Sequence, residues 1–173
     1  MASNNLPNDL SNNKHFLIPL MSPYILGART QLGRTMEAHA RIQNKETFTM
    51  TAMYTFIFEV SSLLEHLSMI QHLLHNAGIA NTEVGIKILD IRDELRHDAR
   101  CDNGKVGKKN KRSKRIGKNE NMIFQFNASK NGIQCANVEL TFNEIDDYIN
   151  ISELLMHSTL NNCTTKTSWY QLA

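Results

Sequence analysis

Between about Thr47 and His75, the residues Met53, Phe56, Val60, Leu63, Leu67, Ile70 and Leu74 recur in alternating steps of three and four. That rhythm matches the α-helical repeat and puts all seven side chains on one stripe. A stripe this long has to be covered, and other helices of the chain are the natural cover. Ser22-Pro23 reads as an N-cap with proline at the first helical position. The helix predicted after it, about 23–43, carries Ile25, Leu32 and Met36 at helical spacing. Asn76-Ala77-Gly78 stops the long helix. Thr82 caps a third helix, with Val84, Ile88, Ile91 and Leu95 on its core face. A last helix, about 143–160, turns Ile145, Ile149, Leu154 and Leu155 inward.

Between the third and last helices the composition changes. Asn103-Gly104 opens a loop reaching about Asn121. There Lys105, Lys108, Lys109, Lys111, Arg112, Lys114, Arg115 and Lys118 put eight of the nineteen basic residues into fourteen positions. The remainder of the chain is therefore acidic. Met122–Ala128 and Ile133–Phe142 have strand-like composition, and Lys130-Asn131-Gly132 supplies a turn between them. The expected fold is mainly α: a bundle of about four helices, with a basic loop (105–121) and a β-hairpin (122–142) inserted before the last helix. One domain over 15–162 follows, between a disordered, Asn-rich tail (1–14) and a C-terminal tail (163–173).

Three cysteines, Cys101, Cys135 and Cys163, are odd in number and scattered. That argues against a disulfide framework or zinc knuckle and for a reducing compartment. The apolar stretch 16–26 is broken by Pro19 and Pro23, too short for a membrane span and wrong for a signal peptide. The expectation is a cytoplasmic chain with no membrane partner.

Two segments pair an arginine with a histidine five positions on: Arg34-Thr35-Met36-Glu37-Ala38-His39 and Arg92-Asp93-Glu94-Leu95-Arg96-His97. A guanidinium grips phosphate through forked donors, and an imidazole moves protons near neutral pH. Together they suffice to cleave RNA without a metal. Context favours the second segment. It ends a charged helix beside the basic loop, it has Asp93 where the first has Thr35, and the helix dipole there favours a protonated His97. On an ideal wheel Arg92 sits at the edge of the core stripe, and His97 lies on the exposed side, within reach of Asp93. The structural alternative is a solvated helix face carrying ion pairs. His66, His72 and His75 with Glu65, or Glu94-x-x-His97, raise a metal site. A di-iron bundle needs a second Glu-x-x-His, which the chain lacks, so a polar helix face is the better account and no metal is expected.

A compact bundle with Arg-x4-His toward the end of a core helix resembles the HEPN superfamily (higher eukaryotes and prokaryotes nucleotide-binding domains). The resemblance covers about residues 20–100 plus the last helix, and Asp93 fits the family's preference for Asn, Asp or His after the arginine. Many members are metal-independent ribonucleases of toxin–antitoxin, abortive-infection and CRISPR-linked defence systems. Ala99 stands where one toxin subgroup has a modified tyrosine, and the basic loop and hairpin lie outside the minimal bundle. The resemblance implies an endoribonuclease without cofactor that leaves 2′,3′-cyclic phosphate ends. Arg92 would hold the scissile phosphate and His97 would transfer a proton. Asp93 would orient His97, and Arg96 would add a phosphate contact.

Arg92 and His97 do not meet readily within one helix, so a groove shared across a homodimer is expected, with an antitoxin or defence-system protein as a further partner. Lys108, Lys109, Lys111, Arg112, Lys114 and Arg115 are expected to bind RNA without sequence preference, through salt-dependent phosphate contacts. With no aromatic residue among them, base stacking is not implied; the structural alternative is a solvated insertion. Alanine at Arg92 or His97 is expected to abolish cleavage with the fold intact. The alternative function is a non-catalytic HEPN-like module that binds nucleic acid or a protein through the same surface.

Overall fold

The computed structural model describes residues 14–44, 49–101, 126–135 and 138–167, with side chains at 16–44, 50–96, 127–135 and 138–161. The elements in chain order are α1 (Lys14–Leu17), a 3₁₀ turn (Pro19–Met21), α2 (Ser22–Gln43), α3 (Thr49–Asn76), α4 (Glu83–Cys101), β1 (Phe126–Ala128), β2 (Gly132–Cys135), β3 (Val138–Thr141) and α5 (Phe142–Thr167). The chain is mainly helical, with a small antiparallel sheet ahead of the last helix. Among the described residues, no helix is long and apolar enough to cross a membrane.

The α3 stripe is the spine of the core. Phe56, Val60, Leu63, Leu67 and Ile70 are fully buried and Leu74 nearly so, while Met53 packs against the cluster from its margin. α2 and α4 both pack against α3, and α5 packs on α2 and, to a lesser extent, on α4. Ile18 and Met21, from the turn before α2, close one end of the core. Burying side chains of this size contributes about 1.5–3 kcal/mol each, which secures the bundle against the entropy of ordering it.

The helix ends are set by local chemistry. At the end of α3, Gly78 adopts φ 75°. Its N–H donates to the carbonyl of His75 at 2.9 Å, and the N–H of Ile79 donates to the carbonyl of Leu74 at 2.9 Å. This paired pattern closes the helix and requires a residue tolerant of positive φ. Thr82 caps α4 as expected, its hydroxyl accepting from the N–H of Gly85 at 3.0 Å. Ser22 makes no side-chain cap; the helical path already runs through the 3₁₀ turn before it, and Met21 occupies the cap position.

A buried amide fixes how the helices sit together. Gln71 on α3 donates through Nε2 to Asn81 Oδ1 at 2.7 Å. Its Oε1 accepts from the Tyr148 hydroxyl of α5 at 2.7 Å. Gly85 leaves the space this amide occupies, since a Cβ there would run into the Gln71 carbonyl. Burial pushes the Tyr148 hydroxyl well above its ordinary pKa, so it stays a donor.

Two apolar assignments change. Met36 is 47% exposed, and Thr35 is buried in its place, its hydroxyl bonded to the carbonyl of Gln31 at 2.8 Å. Leu154 is 70% exposed. It falls midway between Ser152 and Met156, on the side of α5 opposite the buried stripe of Ile145, Tyr148, Ile149, Ser152, Met156 and Thr159. In both helices, small polar residues that satisfy themselves on the preceding turn fill core positions that an apolar count overlooks.

The expected hairpin is a three-stranded meander in the order β1-β2-β3. Register pairs Ala128 with Ile133 and Cys135 with Val138, so the second expected strand folds back on itself. Gly132 is required where β2 meets β3, because a Cβ would strike the backbone of Leu140 and Thr141. Ile133, Cys135 and Leu140 point into the core, and Gln134 points out.

The sheet is fastened at both ends. β3 runs directly into α5, where Thr141 and Glu144 cap each other. The Glu144 carboxylate accepts from the Thr141 N–H at 2.7 Å, and the Thr141 hydroxyl accepts from the Glu144 N–H at 3.2 Å. Lys87 of α4 donates to the same carboxylate at 2.7 Å. Burial works against the charged carboxylate, but the bonds from Lys87 and Thr141 outweigh it and hold Glu144 below the usual carboxylate range. At the other end, His39 of α2 donates through Nε2 to the carbonyl of Ser129 at 2.7 Å. Its ring packs edge-on to Phe142 at 5.1 Å and tilted to Phe56 at 5.8 Å.

His39→Ala should therefore cost about 2–4 kcal/mol, by opening a cavity and leaving a buried carbonyl without its donor. Urea unfolding would read this as a lower midpoint, whereas Met36→Ala at its exposed position should stay within about 0.5 kcal/mol. Glu144 gives a pH test. Its folded-state pKa lies below the unfolded value near 4.5, so its contribution is complete above that value and is lost as pH falls through the lowered one. Wild type should lose stability steadily below about pH 4.5, and Glu144→Gln should be less stable at neutral pH with a flatter acid limb.

Candidate functional site

α3 and α4 form an antiparallel pair across the short connection 77–82, and a row of charged side chains runs along their seam. Arg92, on α4, is 9% exposed. It lies at the margin of the stripe formed by Ile88, Ile91 and Leu95, as its sequence position implies. Its guanidinium donates from Nη2 to Asp93 Oδ1 at 2.7 Å and from Nε to the same oxygen at 3.1 Å. From Nη1 it reaches His72 Nε2 on α3 at 3.3 Å. A guanidinium only donates, so His72 presents its Nε2 lone pair and carries its proton on Nδ1.

One turn further along α4, Arg96 makes a forked pair with Glu65 of α3. Nε reaches Oε1 at 2.8 Å and Nη2 reaches Oε2 at 2.5 Å. Both side chains are about half exposed, so this pair is worth about 0–1 kcal/mol and yields readily to a competing anion. Between the two arginines is an open cleft of about 240 Å³, lined by Ser61, Leu64, Glu65, Arg92, Leu95 and Arg96. Its floor is aliphatic and its rim holds two guanidinium groups, a hydroxyl and a carboxylate. Such a cleft can seat an anionic group with an apolar or planar portion beside it. Asp90 and Glu94 are buried on the same helix. Each seam arginine is paired with a carboxylate, so the seam is balanced in charge rather than strongly basic.

The structure brings Arg92, Asp93 and Arg96 to one seam. His97 belongs to α4, about 7.5 Å along the axis from Arg92 by helical rise. Its side chain lies outside the described residues, as do Lys108, Lys109, Lys111, Arg112, Lys114 and Arg115. The other arginine–histidine segment is separated: Arg34 is exposed, while His39 is buried with its Nε2 hydrogen spent on Ser129. Burial also bears on alanine at Arg92. Removing the guanidinium takes from Asp93 its charged neighbour and from the seam its packing, so the fold would not be untouched. Lysine is the more informative replacement.

Three contributors to the seam went unread in the sequence: Ser61, Glu65 as the partner of Arg96, and His72 as the partner of Arg92. The short 77–82 connection, which pairs the end of α3 with the start of α4, is the signal that locates them. Among the described residues, no three His, Cys, Asp or Glu side chains are grouped to hold a metal ion. His66 is instead accommodated beside Gly27, whose missing Cβ leaves room for the imidazole, and beside Tyr24. No protein-family model, curated protein or solved structure matches this chain.

Proposed function

We propose that this protein is a metal-independent endoribonuclease of the HEPN type, acting as a homodimer in a toxin or defence setting. The observation that carries the reading is the position of Arg92: a guanidinium at the edge of an open cleft, on the helix that also bears His97. In this reading Arg92 holds the scissile phosphate and offsets the charge that builds on it in the transition state. Arg96 leaves Glu65 to take a second phosphate oxygen. His97 supplies a proton-transfer group, and the products end in 2′,3′-cyclic phosphate. Because each of the two seam arginines is already paired with a carboxylate, the positive field that attracts RNA has to come from elsewhere. The cluster at 105–118 is the chain's largest source.

The apolar face of α3 supports the dimer. Met50, Tyr54 and Phe58 follow one another at four-residue spacing, all exposed, and lead to Ser61 at the cleft. A two-fold contact on this face would bring two copies of the cleft together. The binding-module reading keeps the cleft and the basic cluster without the chemistry. It is favoured by the fact that both arginines are already matched to carboxylates.

With EDTA present, purified protein should cleave a mixed-sequence RNA. Arg92→Lys and His97→Ala should each lower the rate by about 10²-fold or more, in keeping with the worth of one acid–base group. RNA binding without cleavage in the wild type would favour the module instead. Phe58→Glu should convert the dimer to a monomer by light scattering and reduce cleavage with it. A wild-type monomer at micromolar concentration would remove the shared groove.

A further inference from the structure

We infer that Glu65 is a built-in competitor for phosphate: its carboxylate occupies Arg96 and has to be displaced before a phosphate binds there. The inference deepens the proposed function by naming the regulation of its cleft. It rests on the cleft as a phosphate site in that reading, and not on the cleavage chemistry. A guanidinium fork grips carboxylate and phosphate in the same way, through two parallel N–H···O bonds. Glu65 and Arg96 show that arrangement, with Nε to Oε1 at 2.8 Å and Nη2 to Oε2 at 2.5 Å. The two carboxylate oxygens therefore stand where two phosphate oxygens would sit.

Three observations single out this pair. Of the six residues lining the cleft, only Glu65 carries a carboxylate, and Arg96 lines the same cleft. Arg92 is matched instead by Asp93, its neighbour in sequence, which does not line the cleft. A phosphate entering the cleft thus meets a competing anion at Arg96. Second, the Arg96 and Glu65 side chains are 49% and 47% exposed, so water screens the pair and it opens at little cost. Third, the helices that carry the pair have no need to move. Leu64, beside Glu65, is fully buried, and Leu95, beside Arg96, packs against the core. Only two flexible side chains have to part. The apparent affinity for phosphate is then that of the freed Arg96, reduced by the fraction of time that Glu65 holds it.

The test titrates the full chain with inorganic pyrophosphate and with a 2′-O-methyl single-stranded RNA, which cannot form a cyclic phosphate. Glu65→Gln keeps the shape of the side chain and removes its charge. It should tighten both ligands by about two- to fivefold, the worth of an exposed pair. Arg96→Gln should weaken both. The decisive protein is the double variant: if Glu65 acts by occupying Arg96, Glu65→Gln gives no gain once Arg96→Gln is present. Ligand held by the basic cluster at 105–118 contributes equally to all four proteins and cancels. An equal gain without Arg96 would mean that Glu65 only adds negative charge to the seam. Unchanged or weaker binding by Glu65→Gln, with circular dichroism reporting a folded chain, would mean that the pair only fastens α4 to α3. Either result overturns the inference. Binding in the expected pattern, by a wild type that cuts no ordinary RNA, overturns the ribonuclease reading and leaves the competitor in place. Binding of neither ligand by wild type or Glu65→Gln overturns the phosphate site itself, and the inference with it.

Discussion

The Gln71 amide holds the architecture in register. It is buried, it bonds Asn81 in the α3–α4 connection and Tyr148 on α5, and it lies over a glycine that leaves it room. A buried amide without partners is costly, so the helices settle where both ends of Gln71 are satisfied. Apolar packing alone permits α4 to slide along α3 at modest cost; the paired amide does not. This register sets His72 opposite Arg92 and Glu65 opposite Arg96. The chemistry of the seam is therefore a product of a polar contact in the core, one helix face away.

The electrostatics of the seam divide its arginines by role. Arg92 is largely withdrawn from water and held by Asp93, so its position is fixed before any ligand arrives, the condition under which a charge stabilises a transition state best. Arg96 is half exposed, and its pair with Glu65 is weak enough to exchange. One guanidinium is a fixture and the other is adaptable. Glu65 keeps the cleft close to neutral, so on the ribonuclease reading proposed above, recruitment of RNA falls to charge outside the seam.

The bundle was legible because apolar periodicity is dense in α3, where every turn carries a large apolar group on the same stripe. The capping signals at Thr82 and Gly78 were equally plain, since each depends on one residue's chemistry. Legibility failed where core positions are polar. Thr35, His39 and Ser152 are buried, and nothing in their identity announces it, so Met36 and Leu154 looked like better candidates. It failed again where the result depends on register between elements. The antiparallel pairing of β2 with β3 and the pairing of Arg92 with His72 arise from how segments meet, which one-dimensional spacing does not contain. Arg92 itself was found because its place at the stripe edge follows from a single helix.

The sheet is pinned to α2 through His39 and Ser129, and it passes into α5 through the reciprocal cap of Thr141 and Glu144. Its strands are only three and four residues long and would not persist alone. The consequence is that the meander has no opening reaction of its own. Amide hydrogens of Ile133 and Leu140 exchange with solvent only when the helices around them come apart, so this small sheet belongs to the most protected cooperative unit of the molecule.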